Sequence, residues 1–447
     1  MRKICCLLPL ALLSVVISYS QSASSGLVNG HPAWILQGNV YEVNVRQYTQ
    51  EGTFNAFAKH LDRLKQMGVQ TLWFMPINPI SKLDRKGTMG SYYAVADYRS
   101  INPEFGTLAD WNRLVKTIHA KGMKVIIDWV PNHTGADHPW VTKQPSFFVK
   151  DSSGKPAVPF DWTDTRQLDY NNSVMQDSMI SSMKYWLSKT GIDGFRCDVA
   201  WNVPESFWKK CIGQLKKIKP DIFMLAEGDK AYLHPGGFDA TYPWEMFHMM
   251  EKIAKGERPA FGLDSIKLKF DTVYPKNAIE LYFTSNHDEN SWNKSDYATF
   301  PGAIHAPFAV FTQTMVRGVP LIYGMQEEPV LRAIEFFEKD PIVFEKFQRA
   351  PFYKKLLSLR KRNMALAPDA SFRKINAGDE SALYAFVRQK ANKKVLVVLN
   401  LSGNEQTVKI GDRTLWGKPL NIFMGMREPL TGNEWKIEPW GYVVYEY

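Results

Sequence analysis

At 447 residues the chain is too long for one compact core and suits a large domain with a small companion. Apolar residues make up 45% and charged residues 22%, proportions that exclude a long disordered protein. The net charge is +10, yet lysines and arginines are scattered, with only short clusters such as Lys216-Lys217 and Arg360-Lys361-Arg362, which argues against a nucleic-acid partner.

In chain order, Arg2 and Lys3 precede an apolar run from Ile4 to Ile17, and Ser18-Tyr19-Ser20 offers small residues before Gln21. Residues 1–20 therefore read as a signal peptide and predict export, periplasmic or extracellular. The run is short and interrupted by Pro9, so no membrane span is expected. Its removal lowers the net charge to +8 (10 − 2) and leaves Cys197 and Cys211, read as two buried free thiols.

From there an apolar strand, a turn and an amphipathic helix recur. Eight strands are predicted, at Val40–Val45, Thr71–Pro76, Lys124–Val130, Gly194–Val199, Ile222–Glu227, Phe238–Tyr242, Leu281–Asp288 and Pro320–Tyr323. Helices are predicted over Phe54–Met67, Leu108–Ala120, Ser173–Thr190, Ser206–Ile218 and Phe344–Arg362, while Gln326–Pro341 carries no clear pattern. This order implies an α/β fold, a (β/α)₈ TIM barrel over 21–365. Residues 134–172 lack periodicity and read as a short inserted subdomain after the third strand. Alternating strands at Ala382–Arg388, Lys394–Leu399, Gln406–Ile410 and Gly441–Tyr447 predict a C-terminal antiparallel β-sandwich over 366–447.

Polar residues interrupt the apolar strands at their C-terminal ends, where the active site of such a barrel sits. Those ends read Asp128 to Asn132-His133, Arg196-Cys197-Asp198, Glu227, and Asn286-His287-Asp288. Arg196 and Asp198 are two residues apart on a strand and point to one side, so the guanidinium favours an ionised Asp198, as a carboxylate nucleophile requires. Glu227 ends an apolar run whose surroundings disfavour its charge, which suits a general acid. Two carboxylates in different environments are the minimum machinery for glycoside hydrolysis.

The segments Asp128-Trp129-Val130-Pro131-Asn132-His133, Gly194-Phe195-Arg196-Cys197-Asp198, Leu225-Ala226-Glu227 and Phe283-Thr284-Ser285-Asn286-His287-Asp288 resemble the four motif regions of the α-amylase family of retaining glycoside hydrolases. Tyr92 to Tyr98, with Phe105-Gly106-Thr107, is similar to that family's second-strand loop. The resemblance runs from about Val40 to the C-terminus. It implies Asp198 as nucleophile, Glu227 as acid/base and Asp288 as a third carboxylate holding sugar hydroxyls. It also implies His133 and His287 as donors to the sugar, Arg196 orienting the nucleophile and Tyr93 stacking on the ring, with Asp128 architectural.

The implied substrate is an α-glucan or maltooligosaccharide cleaved at α-1,4 bonds. A cyclomaltodextrinase- or neopullulanase-like hydrolase and an α-glucan transglycosylase are the alternatives, because water and a sugar hydroxyl compete for one intermediate. No cofactor is needed for the chemistry. Structural calcium is implied by many relatives, with Asn132 and Asp169 as candidate ligands. One departure stands out: Trp201 and Asn202 replace a Lys-His pair found in many starch-degrading members. Trp129, Trp201, Trp244 and Trp292 all fall near strand ends, and Trp201 and Trp244 are candidates for stacking on sugar. A glucan-binding protein without activity would have lost a catalytic carboxylate, and none is lost. A metal-dependent hydrolase would need clustered histidines on early strands, and Val40–Val45 has none. Oligomeric state is not readable.

Overall fold

The computed structural model describes residues 26–447, so the signal segment 1–20 lies outside the described residues. The eight apolar runs form eight parallel strands: β1 Val40–Val43, β2 Thr71–Phe74, β3 Lys124–Trp129, β4 Gly194–Cys197, β5 Phe223–Ala226, β6 Ala240–Thr241, β7 Ile279–Tyr282 and β8 Gly318–Tyr323. They close into a barrel in chain order, with β8 returning to pair with β1, Leu321 opposite Val40. Such strands are buried on both faces, by the barrel interior and by the helices, which is why they read as continuous apolar runs.

Alternation along β4 decides what enters the barrel. Phe195 and Cys197 pack outward with Met183 and Cys211 of the surrounding helices, which turns Arg196 inward opposite Asp128 of β3. Both cysteines are free and buried, as expected. A Cβ at Gly194 would lie 2.0 Å from the Phe223 carbonyl oxygen, so only glycine lets β4 start this close to β5.

Two predicted helices, Leu108–Ala120 and Ser173–Thr190, are found with those bounds, the first closed by a Thr107–Asp110 capping box and the second ending at Gly191. The predicted helix over Phe54–Met67 is instead two, Phe54–Ala58 and Leu61–Met67. Tight bonds from Lys59 N–H to Ala56 O and His60 N–H to Phe57 O break it, and His60 packs edge-on against Tyr48 there. The last barrel helix starts at Ala350 rather than Phe344, because the Glu328 carboxylate takes the backbone N–H groups of Glu345, Lys346 and Phe347. The predicted helix Ser206–Ile218 is found at Glu205–Ile218, and helices Trp244–Ala254, Gly262–Val273 and His305–Thr314 complete the ring. Nine of the ten residues of the last of these, Pro307 to Thr314 with His305, are buried, so it carries little amphipathic signal.

After β3 the insert folds as a small antiparallel pair, His133–Gly135 with Thr165–Gln167. From Ser371 onward a six-stranded antiparallel sheet faces a two-stranded one, Gln406–Val408 with Trp435–Ile437. Within the large sheet Tyr384, Phe386, Val395 and Val397 pack toward the barrel, while Ala385, Val387, Leu396 and Val398 face the small sheet. The period of two with both faces buried is the local reason this segment is almost wholly apolar. Among the described residues no helix is long and apolar enough to cross a membrane.

Candidate active site

At the C-terminal mouth of the barrel, the predicted side chains meet around one cavity of about 360 Å³, lined among others by Tyr93, His133, Asp198, Glu227, Asp288 and Trp292. Asp198 and Glu227 each lie one residue past their strands, and their backbones extend the ladder through Asp198 N–H to Trp129 O and Glu227 N–H to Cys197 O. Asp288 is placed differently from the prediction. β7 stops at Tyr282, and Asp288 sits in the short helix His287–Ser291, whose first turn is capped by the Asn286 side chain.

Arg196 organises the floor. Its Nη1 donates to Asp128 Oδ1 at 3.0 Å and to Asp198 Oδ1 at 2.9 Å, and its Nη2 lies 3.1 Å from Glu227 Oε2. One planar group therefore spans both proposed reacting carboxylates and fixes their separation. Asp128 is fully buried and also accepts from Trp73 Nε1 and Tyr93 Oη, which makes it the architectural residue expected. Asp198 Oδ2 takes no part in these contacts, and the residue lines the cavity.

Val199, directly after the proposed nucleophile, has φ +44°, a left-handed conformation that a β-branched residue rarely adopts. The bend aims its N–H at Glu227 Oε2, 2.7 Å away. Strain here holds a functional group in place. With Oε2 committed to Arg196 and Val199, Oε1 is the Glu227 oxygen left for a substrate. The apolar setting anticipated for Glu227 is not found: its apolar neighbours belong to the strand below, and the carboxylate reaches a charged, partly open site.

Opposite stands a second relay. His287 Nδ1–H donates to Glu42 Oε1, and Nε2 lies 2.8 Å from Tyr93 Oη and 3.2 Å from Asp288 Oδ2. Burial alone would lower its pKa, but Asp288 and Glu42 raise it well above the usual histidine value, which favours the imidazolium form. In return, although burial works upward on Asp288, His287 holds its carboxyl below the usual range. Burial pushes Asp198 well above the ordinary carboxylate value, the neighbouring Glu227 adds to this, and Arg196 opposes it. Burial lowers His133 to about 4, so it is neutral. Its Nδ1 lies 3.1 Å from the Asn132 side-chain amide, and its buried Nε2 has no partner within the protein. A donor is thus held ready at the cavity wall.

Glu42 was not singled out from sequence, although a lone acid among Val40, Tyr41 and Val43 on an inward-facing position was the available signal. Trp162, Phe336, Phe337 and Lys86 also line the cavity from loops that carry no pattern. Of the four tryptophans, Trp129 is fully buried core. Trp244 lines a different cavity with Tyr274 and Glu280. Trp292 is half exposed on the cleft against Phe336, and Trp201 is exposed near Phe160.

The residues do not fit the structural calcium that the motif resemblance implied. Gln167 Nε2 sits 3.1 Å from both Asn132 O and Asn132 Oδ1 and 3.4 Å from Leu168 O. Asn202, one of the two departures from the Lys-His pattern, donates its amide to the same Asn132 Oδ1 at 2.9 Å. The oxygens that a hard cation needs are thereby committed to N–H donors. Asp169 Oδ1 accepts instead from the backbone N–H and the side-chain amide of Asn171. Among the described residues no cluster of three His, Cys, Asp or Glu side chains could hold a metal.

The model of the alpha-amylase catalytic domain matches residues 18–166 and 160–351, and that of the alpha-amylase SusG C-terminal domain matches 383–438. The chain is 26% identical over 397 residues to Alpha-amylase MalA of Haloarcula japonica, covering 84% of this chain and 57% of that protein. It is 28% identical over 394 residues to Neopullulanase 2 of Thermoactinomyces vulgaris, covering 80% and 64%. The chain therefore spans less than two thirds of the length of these two relatives. A maltogenic alpha-amylase from Thermotoga neapolitana superposes with a TM-score of 0.83 at 27% identity, covering 92% of this chain and 99% of that one.

Proposed function

Because the chain belongs to the alpha-amylase family, we propose that it is a retaining hydrolase of α-glucosidic bonds in α-glucans or maltooligosaccharides. The observation that carries this reading is the single Arg196 guanidinium bonded to both Asp198 and Glu227, facing the Asp288–His287 pair across one cavity. The sugar to be attacked rests on Tyr93 and is held by Asp288, His287 and His133. Glu227 Oε1 protonates the departing oxygen while Asp198 Oδ2 attacks the anomeric carbon from the other face, giving a β-linked glycosyl-enzyme. Glu227, now ionised, takes a proton from water as that water displaces Asp198 and restores the α-configuration. The Arg196 charge stabilises whichever of the two carboxylates is anionic at each stage.

A sugar hydroxyl reaching the intermediate in place of water gives transglycosylation by the same steps, so that the residues serve both outcomes. Proton NMR of maltopentaose digestion tests the proposal. The newly formed reducing end should appear first as the α-anomer and mutarotate afterwards, whereas initial β-product would overturn it. Export follows from the charged, apolar and small-residue run of residues 1–20. Protein from the native host should begin near Gln21, and a mature chain starting at Met1 would sink that part.

A further inference from the structure

We infer that the cleft is closed at its glycone end, so that this protein removes short products from the non-reducing ends of glucan chains rather than cutting within them. The inference rests on the glycosidase reading above and adds the mode of attack.

The closure is a continuous wall made by residues 82–91, which follow β2. At one end the wall is fastened to the insert. The Asp137 carboxylate accepts the N–H groups of Lys82 and Leu83, Arg166 pairs with Asp84 at 2.7 Å, and Lys86 lies 3.7 Å from Asp164. At the other end it is zipped to the segment after β8. Met89 N–H donates to Phe337 O at 3.0 Å, Thr88 N–H donates to Glu338 Oε1 at 2.9 Å, and the Thr88 hydroxyl bonds the same carboxylate. The two segments approach so closely that a Cβ on Gly87 (φ +62°) would lie 2.6 Å from Phe337 Cβ. Behind the seam, the loop after β1 clamps both. Buried Arg46 donates to Gly90 O, Met89 O and Phe336 O, and Gln47 donates to Glu335 O and Glu338 O.

Barrel geometry says which end is closed. The wall stands over β8, β1 and β2, and in an eight-stranded ring β5 lies across from β1. β5 carries Glu227, the proton donor to the departing oxygen, so the leaving part of the substrate runs out on the far side, past Val199 and Trp201. The wall instead abuts the sugar being retained: the Phe336 ring lies parallel to Tyr93 at 6.4 Å and packs on Trp292 at 5.3 Å. The cavity of about 360 Å³ is near the small end of ligand pockets, roughly 300–1,000 Å³. A chain continuing through it would have to displace bonded backbone.

The test compares p-nitrophenyl maltoheptaoside with the same compound carrying an ethylidene group on its non-reducing end, products being separated by chromatography. The unblocked compound should lose a short sugar of one dominant length. The blocked one should react at least about 50-fold more slowly, the range that a misfit group in a closed pocket produces. Glu338→Ala, which releases both Thr88 bonds, should narrow that ratio. Equal rates on both compounds would overturn the closed-end inference and leave the glycosidase reading standing. Cleavage of neither would overturn both.

Discussion

Two polar networks lie side by side at the barrel mouth and are built on opposite principles. The floor of the proposed catalytic site is charged: Arg196, Asp128, Asp198, His287 and Glu42 are buried, Glu227 and Asp288 open onto the cavity, and ion pairs join them. The seam between insert and barrel is neutral: Asn132, Gln167 and Asn202 are joined by amide hydrogen bonds. Burying charge is costly unless every partner is in place, and it is retained here where the proposed reaction would develop charge. Where only cohesion is needed, neutral amides fill the same kind of gap at lower desolvation cost.

The comparison predicts effects of very different size. Arg196→Met leaves three carboxylates unpaired, and should lower stability by about 3–5 kcal/mol, the cost of breaking a buried pair. In the protein that remains folded, kcat/KM should fall by about 100-fold or more, as when a preorganised charge partner is lost. The acid limb of its pH profile should also move up. As the proposed nucleophile Asp198 would work ionised, so activity should be lost as pH falls through its pKa, and removing the cation that opposes the rise lifts that pKa further. An unchanged limb would mean that Arg196 does not act on the nucleophile. Gln167→Ala should cost about 0.5–1.5 kcal/mol by removing one of the donors shared by the Asn132 oxygens, while the rate of the folded enzyme changes little. Smallest of all is the effect of a chelator: EDTA should leave the thermal midpoint where it was, and a clear drop would show that a cation, not the amide seam, joins insert to barrel.

Much of this was legible in the chain. All eight strands announce themselves because burial on both faces favours largely apolar runs, and Asp198, Glu227 and His133 stand out as polar residues at their ends. Asp288 was found for that reason too, although the strand assigned to it stops earlier, since Asn286 caps a helix that no hydrophobic period marks. Glu42 was missed because one acid in a four-residue strand looks like an edge. The strain at Val199 has no sequence signal at all, valine being a poor choice for that conformation. Nor do the wall segments, including the unpatterned Gln326–Pro341, whose seam uses backbone groups that every residue carries. The break at Lys59-His60 was hidden by a helical spacing that continues on both sides.

In the proposed mechanism Asp198 attacks and Glu227 transfers the proton, and chemical rescue tests that assignment most directly. With α-glucosyl fluoride, whose departure needs little proton assistance, Glu227→Ala should still form the β-linked intermediate, and azide should then release α-glucosyl azide. Asp198→Ala can form no such intermediate, so any azide product should be β. Opposite anomers from the two variants, or the same anomer from both, would contradict the assignment.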